Sequence, residues 1–441
     1  MHTSLRSALF VGGGAAALVW AAAAAPSAPT TVSMTPRRAA PRLLACGDNK
    51  CGQLGLGDSS QRGRLIAAFG SDASIVALSA AKETSAFVTE DGRLFTFGRG
   101  DNGRLGHSDG VDVLSPRLVE SLATAGVKVS TVAMGENHGV AVASDGALYT
   151  WGSGNNSAAL GRARSANDTT PARVDALRDE EVVGVAAGRA HTVAVTAKGE
   201  VWAWGNGRRH ALGLDGAATR ARPTRVALAD PLDPNKAARA VQVACGGGHT
   251  LVLTATGDVL AWGDDARGQL GLGGALEGGR YARVPHHIAA LAPRHLAPDA
   301  VVAVRAGDEH SAALTRDGRV YTWGRNDNSQ LGHGPASTND VTSPHALELD
   351  PAGACPGARP SRRVTDASLG SAHSVVLLDN GEALAFGLGK SGALGQGGAN
   401  GEVSIAPIEA RPKAMRGVAS KQGERVALVA CGGRHTLVAT R

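Results

Sequence analysis

Histidine is the residue type whose spacing in this chain first suggests chemistry, because imidazole binds metals and transfers protons near neutral pH. One position recurs in seven copies of a Gly-x-x-His-like pattern, at Thr84, His138, His191, His249, His310, His373 and His435. Successive copies are 53 to 63 residues apart, so each belongs to a different repeat. Equivalent positions in separate repeats ring a fold and do not converge on one point. We therefore predict no metal site, and we expect each imidazole to hydrogen-bond a nearby backbone carbonyl.

The other reactive residue types show no catalytic arrangement. The five cysteines lack zinc-ligand spacing. Cys245 and Cys431 share one repeat position and Cys46 fills an aromatic one, which predicts small buried thiols without disulfides. Residues 98–103 and 387–392 match Gly-x-Gly-x-x-Gly, but a dinucleotide site needs that motif inside a βαβ unit. With no Ser/His/Asp or paired-carboxylate set either, the sequence predicts no catalytic residue and no cofactor, hence a binding protein and not an enzyme.

The repeat itself predicts the fold. In every complete copy a turn glycine follows the histidine position by eight residues, and an aromatic-Gly pair ends six residues later. In the third copy the predicted strands are residues 182–188, 191–196 and 201–205, with a fourth that opens at Pro223. Because proline cannot donate to a ladder, the fourth strand should be the outer edge of its sheet; similar prolines are Pro116, Pro171, Pro344 and Pro407. Four-stranded units repeated radially form a β-propeller.

The two ends of the chain carry complementary parts of one repeat. The last copy stops after His435 and residues 437–440, without its final strands. Residues 43–57 supply the missing half, so we expect them to complete the C-terminal blade and close the ring. Closure removes the exposed sheet edges of an open array. The prediction is an all-β, seven-bladed β-propeller with four-stranded blades over residues 43–441.

The Gly-x-x-His turns, the Trp-Gly pairs and the Gly-Gln-Leu-Gly of residues 52–55 together resemble the regulator-of-chromosome-condensation repeat family. The resemblance covers residues 43–441 and implies a propeller that binds other macromolecules. In family members that act as guanine-nucleotide exchange factors, acidic residues of these turns contact a small GTPase. Residues 306–310, Ala-Gly-Asp-Glu-His, look like such a turn, which implies that role for Asp308. Those exchange factors also insert a β-wedge from a loop after Trp-Gly, and here the loop of residues 151–160 is only one residue longer than its counterparts.

Strand alternation locates a candidate partner surface. If strands run up and down within each blade, the Gly-x-x-His turns and the loops after aromatic-Gly share one face, and the Asp-Gly hairpins lie on the other. The residues between Gly and His differ from copy to copy, and positions that escape a repeat consensus are free to serve a partner. We predict a partner surface centred on Asp308 and Glu309, with Glu136, Asn137, Arg189 and Arg434 around it.

The net charge and the composition of residues 1–42 limit which partners and which cellular location we expect. The net charge is +6, but residues 1–42 hold four arginines and no acidic residue, so the remainder is only +2. A body so close to neutral gives no strong signal for nucleic-acid binding.

Residues 1–42 are predicted to be a targeting or disordered leader, because an apolar Ala/Gly run precedes a segment with Ser, Thr, Pro and Arg. Acid-free, Arg-bearing composition favours mitochondrial import, with the secretory pathway, plastid or cytoplasm as alternatives. The weakly hydrophobic run predicts no stable membrane span in the mature protein, which we expect to be a monomer.

Two functions from different classes remain open. The first is a regulator of a small GTPase, either a guanine-nucleotide exchange factor or a GTPase-binding protein. The second is an organellar, mitochondrial scaffold or assembly factor for ribosome or RNA processing without exchange activity. The turn at Asp308 favours the first, and the leader favours the second. The fold alone does not choose between them.

Overall fold

The computed structural model describes residues 10–12, 42–70, 74–154, 158–162, 167–233, 235–274, 276, 279–335, 337–349, 362–397, 408–417 and 425–441. These residues form seven sheets, each built on four antiparallel strands; in six of them the four strands are consecutive along the chain. Each sheet is one blade of a seven-bladed β-propeller, which confirms the predicted fold class.

The strands follow one another along the chain as the repeats predict. The first three are β1 (Phe10–Gly12), β2 (Arg42–Gly47) and β3 (Arg62–Gly70). Blade 1 contains β4 (Ile75–Ala80), β5 (Thr84–Thr89), β6 (Leu94–Gly98) and β7 (Val113–Leu118); blade 2 contains β8 (Val129–Met134), β9 (His138–Ala143), β10 (Leu148–Ser153) and β11 (Asn167–Arg173). Blade 3 contains β12 (Val182–Ala187), β13 (His191–Thr196), β14 (Val201–Gly205) and β15 (Arg220–Val226); blade 4 contains β16 (Ala240–Cys245), β17 (His249–Thr254), β18 (Val259–Asp264) and β19 (Tyr281–His287).

The remaining elements complete the ring. Blade 5 contains β20 (Val301–Ala306), β21 (His310–Thr315), β22 (Val320–Gly324) and β23 (Val341–Ala346); blade 6 contains β24 (Val364–Leu369), β25 (His373–Leu378), β26 (Ala383–Leu388) and β27 (Ile408–Ala414). The last strands are β28 (Val426–Cys431) and β29 (His435–Thr440). Between blades lie the short helices α1 (Glu120–Thr124) and α2 (Pro293–Leu296) and the 3₁₀ turns Asp175–Leu177 and Ala289–Leu291. The 3₁₀ turns Asp101–Gly103 and Arg208–His210 lie between the third and fourth strands of blades 1 and 3.

The seventh blade joins the two ends of the chain. Its strand order is β28-β29-β2-β3, and the antiparallel register places Gly47 opposite His435. This confirms that N-terminal strands complete the C-terminal blade. The short strand β1 pairs in parallel with β16, the first strand of blade 4.

The fourth strand of each blade lies at the edge of its sheet, as the prolines of five blades predict. Pro116, Pro171, Pro223 and Pro344 all lie within fourth strands, and Pro407 falls outside the described residues. In blade 3 this strand begins at Arg220, three residues before the predicted Pro223. Proline tolerates the interior of an edge strand, because its missing N–H can face away from the ladder.

The first three strands of each blade are packed between neighbouring blades, so their residues are buried on both faces. The tryptophans of the aromatic-Gly pairs, Trp151, Trp204, Trp262 and Trp323, have no exposed surface. Each indole N–H donates to a backbone carbonyl in the preceding blade's loop, as Trp204 does to Ala159 over 2.8 Å. In the shared blade Cys46 takes the aromatic position and directs its thiol to the Ala393 carbonyl over 3.6 Å.

The histidines form a ring of hydrogen bonds that joins one blade to the next. In each case Nε2 meets a Ser or Thr hydroxyl of the following blade, as His310 meets Ser374 over 2.9 Å. The six pairs are His138–Thr192, His191–Thr250, His249–Ser311, His310–Ser374, His373–Thr436 and His435–Ser85. The predicted bond to a backbone carbonyl is therefore wrong. The hydroxyl itself donates to a backbone carbonyl, as Ser374 does to Gln330 over 2.8 Å, and Nε2 of the imidazole meets the hydroxyl oxygen.

Each histidine ring packs on the glycine three residues before it. A Cβ added to Gly135 would lie 2.3 Å from Cε1 of His138, so a side chain there would displace the imidazole. The Gly-x-x-His pattern thus follows from the space that the ring needs.

Candidate partner-binding site

The candidate site lies where the turns between first and second strands surround the central channel. The residue after the glycine position in each turn faces this channel. A cavity of about 100 Å³ is lined by these residues, which are Lys82, Glu136, Arg189, Gly247, Asp308, Ser371 and Gly433. We call this set the channel mouth. The antiparallel ladders place these turns and the loops after the aromatic-Gly pairs at the same end of each blade, as predicted.

Charged side chains of the channel mouth form a continuous chain of ion pairs. The Lys82 ammonium lies 2.7 Å from one Glu136 oxygen, and Arg189 Nε lies 3.3 Å from the other. The same arginine uses its terminal nitrogen to bind both oxygens of Asp308, at 2.9 and 3.1 Å. Four blades are therefore linked by alternating charges along one arc of the mouth.

Gly247 makes the ion pair between Arg189 and Asp308 possible. Arg189 is on blade 3 and Asp308 is on blade 5, so the arginine must cross the turn of blade 4. A Cβ on Gly247 would lie 2.1 Å from an Asp308 carboxylate oxygen. Because Gly247 has no side chain, the Asp308 carboxylate can occupy this space and meet the guanidinium. The Gly247 N–H also donates to the Asp308 carbonyl over 2.9 Å.

Partial burial affects the protonation of the central carboxylate. Desolvation at the channel mouth raises the pKa of Asp308, and the neighbouring Arg189 opposes that rise. A partner that supplied a further positive charge would lower this pKa again. The charge of the Asp308 carboxylate therefore depends on which charged groups approach the channel mouth.

The six predicted site residues separate into two groups. Glu136, Arg189 and Asp308 come together in the ion-pair chain, whereas Asn137, Glu309 and Arg434 take the next position of their turns, outside the channel. Glu309 is bound to Arg325 over 2.7 Å. Arg434 is exposed, and no ion pair involves it in the part of the chain described.

Sequence reasoning missed Lys82 and Glu83. Their turn has Ala81 and Thr84 where the other copies have glycine and histidine, so it does not match the motif. The repeat register still carries a signal, because Thr84 aligns with the histidines and the two residues before it therefore occupy the variable positions. Glu83 pairs with Arg99 over 2.6 Å, much as Glu309 pairs with Arg325.

The described residues offer little to a metal or to redox chemistry. They contain no group of three or more His, Cys, Asp or Glu side chains that could hold a metal ion. Burial raises the pKa of the Cys245 and Cys431 thiols to about 12, so both stay protonated near neutral pH. The four described cysteines, which do not include Cys355, are free thiols. No helix in the described ranges is long and apolar enough to cross a membrane.

Comparison with known proteins agrees with this architecture. The pattern of the RCC1-like domain matches residues 42–438, nearly the whole chain. The chain belongs to the RCC1-like domain family. The human E3 ubiquitin-protein ligase HERC2 is 36% identical over 364 residues, which make up 82% of this chain but 7% of HERC2.

Two further relatives of this RCC1-like chain are informative. The Arabidopsis thaliana "RCC1 domain-containing protein RUG3, mitochondrial" is 34% identical over 254 residues, covering 56% of this chain and 53% of RUG3. The crystal structure of Prp20p from Saccharomyces cerevisiae superposes with a TM-score of 0.73 over 91% of both chains, at 22% sequence identity. At that identity the likeness to Prp20p shows the shared fold.

Proposed function

We propose that this propeller binds and regulates a small GTPase through its channel mouth and the neighbouring turns. The chain of ion pairs from Lys82 to Asp308 is the observation that carries the proposal. It fixes charged groups in one geometry before a partner arrives, so less side-chain entropy is lost on binding. Prp20p, which has the same fold, binds Gsp1p and histones.

The arrangement favours a partner with basic side chains opposite Asp308 and Glu309. Both carboxylates already face an arginine, and each has further oxygen lone pairs that can accept from a partner. Competition for Asp308 would also free Arg189 to contact the same partner. Electrostatic complementarity of this kind chiefly sets specificity and association rate.

The decisive experiment separates contacts with the GTPase from the ion pair within the propeller. Asp308→Lys should weaken binding of the responsive GTPase at least tenfold, because it puts repulsion in place of attraction. Exchanging the two charges, Arg189→Asp with Asp308→Arg, restores an ion pair between these two positions, although the new carboxylate at position 189 then faces Glu136. This double variant should therefore regain part of the stability that Asp308→Lys loses, but not the binding. Binding would be measured by titration against a panel of nucleotide-loaded small GTPases.

A matched control lies on the opposite face. Asp145 is exposed in an Asp-Gly hairpin and, within the described ranges, accepts only the Ala147 N–H, so Asp145→Lys should leave binding unchanged. Asp317, at the same position of another hairpin, is unsuitable because it is buried between Thr315 and Arg319. If the exchanged pair binds the GTPase as well as the native protein, the charges act only within the propeller and the proposal fails.

Whether the propeller also accelerates nucleotide exchange on the GTPase is a separate part of the proposal. The same panel would be assayed for release of a fluorescent guanine nucleotide. Faster release that is lost with Asp308→Lys would identify an exchange factor. Binding without faster release would identify a GTPase-binding protein, which the short loop of residues 151–160 favours.

The second candidate is a mitochondrial scaffold or assembly factor, and two observations favour it. RUG3 is named as mitochondrial, and residues 1–42 of this chain carry arginine without acidic residues. We expect residues 1–45 fused ahead of a fluorescent reporter to direct it to mitochondria, as imaging against a mitochondrial dye would show. Secretion of the reporter, or a diffuse cytoplasmic signal, would contradict this expectation.

A further inference from the structure

The outer rim of blades 3 and 4 carries a concentration of arginines far from the channel mouth. Arg220 and Arg222 belong to the edge strand β15, Arg283 belongs to the edge strand β19, and Arg280 immediately precedes β19. Arg208 begins the 3₁₀ turn Arg208–His210 between β14 and β15. We call these five residues the rim arginines.

Backbone contacts bring these segments together at one end of the two blades. Register places Arg220 opposite Gly205 and Tyr281 opposite Asp264, so both strands begin on the face of the Gly-x-x-His turns. The loop after Gly205 packs across onto blade 4, where the Asp215 N–H donates to the Arg283 carbonyl over 3.3 Å. The Arg280 carbonyl accepts the Asp265 N–H over 2.7 Å. The rim arginines therefore share one continuous surface.

Among the described residues, the charge of this surface is largely uncompensated. Nearby arginines are neutralised, since Arg209 pairs with Asp264 over 2.7 Å and Arg225 with Glu200 over 2.8 Å. None of the rim arginines forms an ion pair in the described structure. Asp215 is exposed on the same surface without a pairing cation among the described residues, and it partly offsets them.

An aromatic platform lies among the rim arginines. Tyr281 and Arg283 point outward on either side of the buried Ala282. The Tyr281 side chain is 39% exposed, and its ring lies 5.8 Å from the His210 ring. A large aromatic side chain that is open to solvent and lies beside arginines in the chain can stack on a nucleobase while the arginines bind phosphates.

We propose that this rim is a binding site for single-stranded nucleic acid. The inference does not depend on the GTPase proposal, because the rim lies on the outermost strands and the channel mouth on the turns of the innermost. The net charge of the chain does not reveal this basic surface, because acidic residues elsewhere bring residues 43–441 close to neutral. An acidic peptide would also meet the arginines, but it would leave Tyr281 without a partner.

The first test removes the charges. Native protein would be titrated with fluorescent oligoadenylate RNA, and with single-stranded DNA of the same sequence, across a range of salt concentrations. Replacing Arg208, Arg220, Arg280 and Arg283 by alanine should weaken binding at least tenfold and reduce the salt slope by up to about three. Alanines at Arg178, Arg294, Arg411 and Arg425, which are exposed elsewhere, change net charge equally and should have little effect. Equal losses for the two sets would overturn the site.

The second test separates nucleic acid from other polyanions. Tyr281→Ala should weaken oligoadenylate binding about fivefold or more, and Tyr281→Phe should preserve it, because stacking needs only the ring. Neither variant should change binding of polyglutamate. Asp215→Asn removes the opposing charge while asparagine still suits its φ of +47°, so it should tighten oligoadenylate binding. If Tyr281→Ala has no effect, or polyglutamate competes as well as RNA, the nucleic-acid assignment is wrong.

Discussion

At the scale of single residues, the histidine ring shows which atoms hold neighbouring blades together. The Thr192 hydroxyl donates to the Ala159 carbonyl over 2.9 Å, so it can only accept from His138. Nε2 of His138 must therefore carry the proton, and the same reasoning applies to the other five pairs. The imidazoles are neutral donors fixed in one tautomer.

One interface between blades lacks this bond, and both of its partners have changed. Blade 1 has Thr84 where the others have histidine, and blade 2 has Gly139 where the others have serine or threonine. A Cβ on Gly139 would lie 2.2 Å from the Trp151 ring, so the indole fills the space of the missing hydroxyl. The Thr84 hydroxyl is buried without a hydrogen-bond partner in the described structure.

The same substitution should therefore have opposite consequences at two threonines. Thr84→Val replaces an unpaired buried hydroxyl with a methyl group, so stability should stay equal or rise by up to about 1 kcal/mol. Thr192→Val leaves the His138 Nε2–H without its acceptor and should cost about 1–3 kcal/mol. Urea denaturation of both variants would measure the difference. A loss for Thr84→Val as large as that for Thr192→Val would show that the two interfaces are held in the same way.

The acceptor of the histidines was open to prediction from the sequence, although it was missed. The residue after each histidine position is Ser85, Gly139, Thr192, Thr250, Ser311, Ser374 or Thr436. A hydroxyl is absent only where the preceding blade has lost its histidine. The prediction of a backbone carbonyl failed because it considered only groups near in sequence, whereas the acceptor is on the next blade.

At the scale of strands and turns, the regular spacing of the repeat predicted the four strands of each blade but not β1 or the short helices. The position of each side chain within a turn was less predictable. Asp145 and Asp317 occupy equivalent hairpin positions, yet Asp145 is exposed and Asp317 is enclosed by Thr315 and Arg319. The ion pair of Arg189 with Asp308 spans two blades and depends on the missing side chain of Gly247, so no local pattern could reveal it.

Strand β2 has the largest expected effect on stability of any single segment near the N terminus. It pairs with β29 on one side and β3 on the other, and Leu43, Ala45 and Cys46 have no exposed surface. Deleting residues 1–57 removes β2, exposes the edge of β29 and opens the ring. Deleting residues 1–41 keeps the whole closing blade. We expect the longer truncation to lower the melting temperature by well over 10 °C relative to the shorter one, or to prevent folding.

Thermal denaturation of both truncations, followed by circular dichroism, would test this difference. Substituting Arg64, a half-buried residue of β3, by alanine within the shorter truncation controls for small changes in the closing blade. Similar melting temperatures for the two truncations would mean that pairing of β2 with β29 is not what closes the propeller.

At the scale of the whole molecule, the six buried imidazoles link folding to pH. Burial lowers their pKa values from an ordinary 6.5, to about 3 for His138, His249, His310 and His435 and to about 4 for His191 and His373. Between about pH 6.5 and pH 4 the unfolded chain therefore binds protons that the native ring does not. Their contribution to stability is complete above pH 6.5 and is lost as the pH falls towards the folded values. Asp265 acts in the opposite direction, because burial raises its pKa to about 6.

The six ring histidines outnumber the three aspartates whose pKa values burial raises, Asp265, Asp308 and Asp366, so acidification gives a net loss of stability. Each histidine contributes at most about 1.4 kcal/mol per pH unit below its unfolded pKa, so the combined slope should reach several kcal/mol per unit. Urea denaturation at about pH 7, 6 and 5 would measure it. His310→Gln should lower stability at pH 7 but flatten the slope by up to about 1.4 kcal/mol per unit, since one proton is no longer taken up on unfolding. A free energy of unfolding that stays constant from pH 7 to pH 5 would mean that the imidazoles of the folded ring can be protonated, and it would contradict their role as neutral donors between the blades.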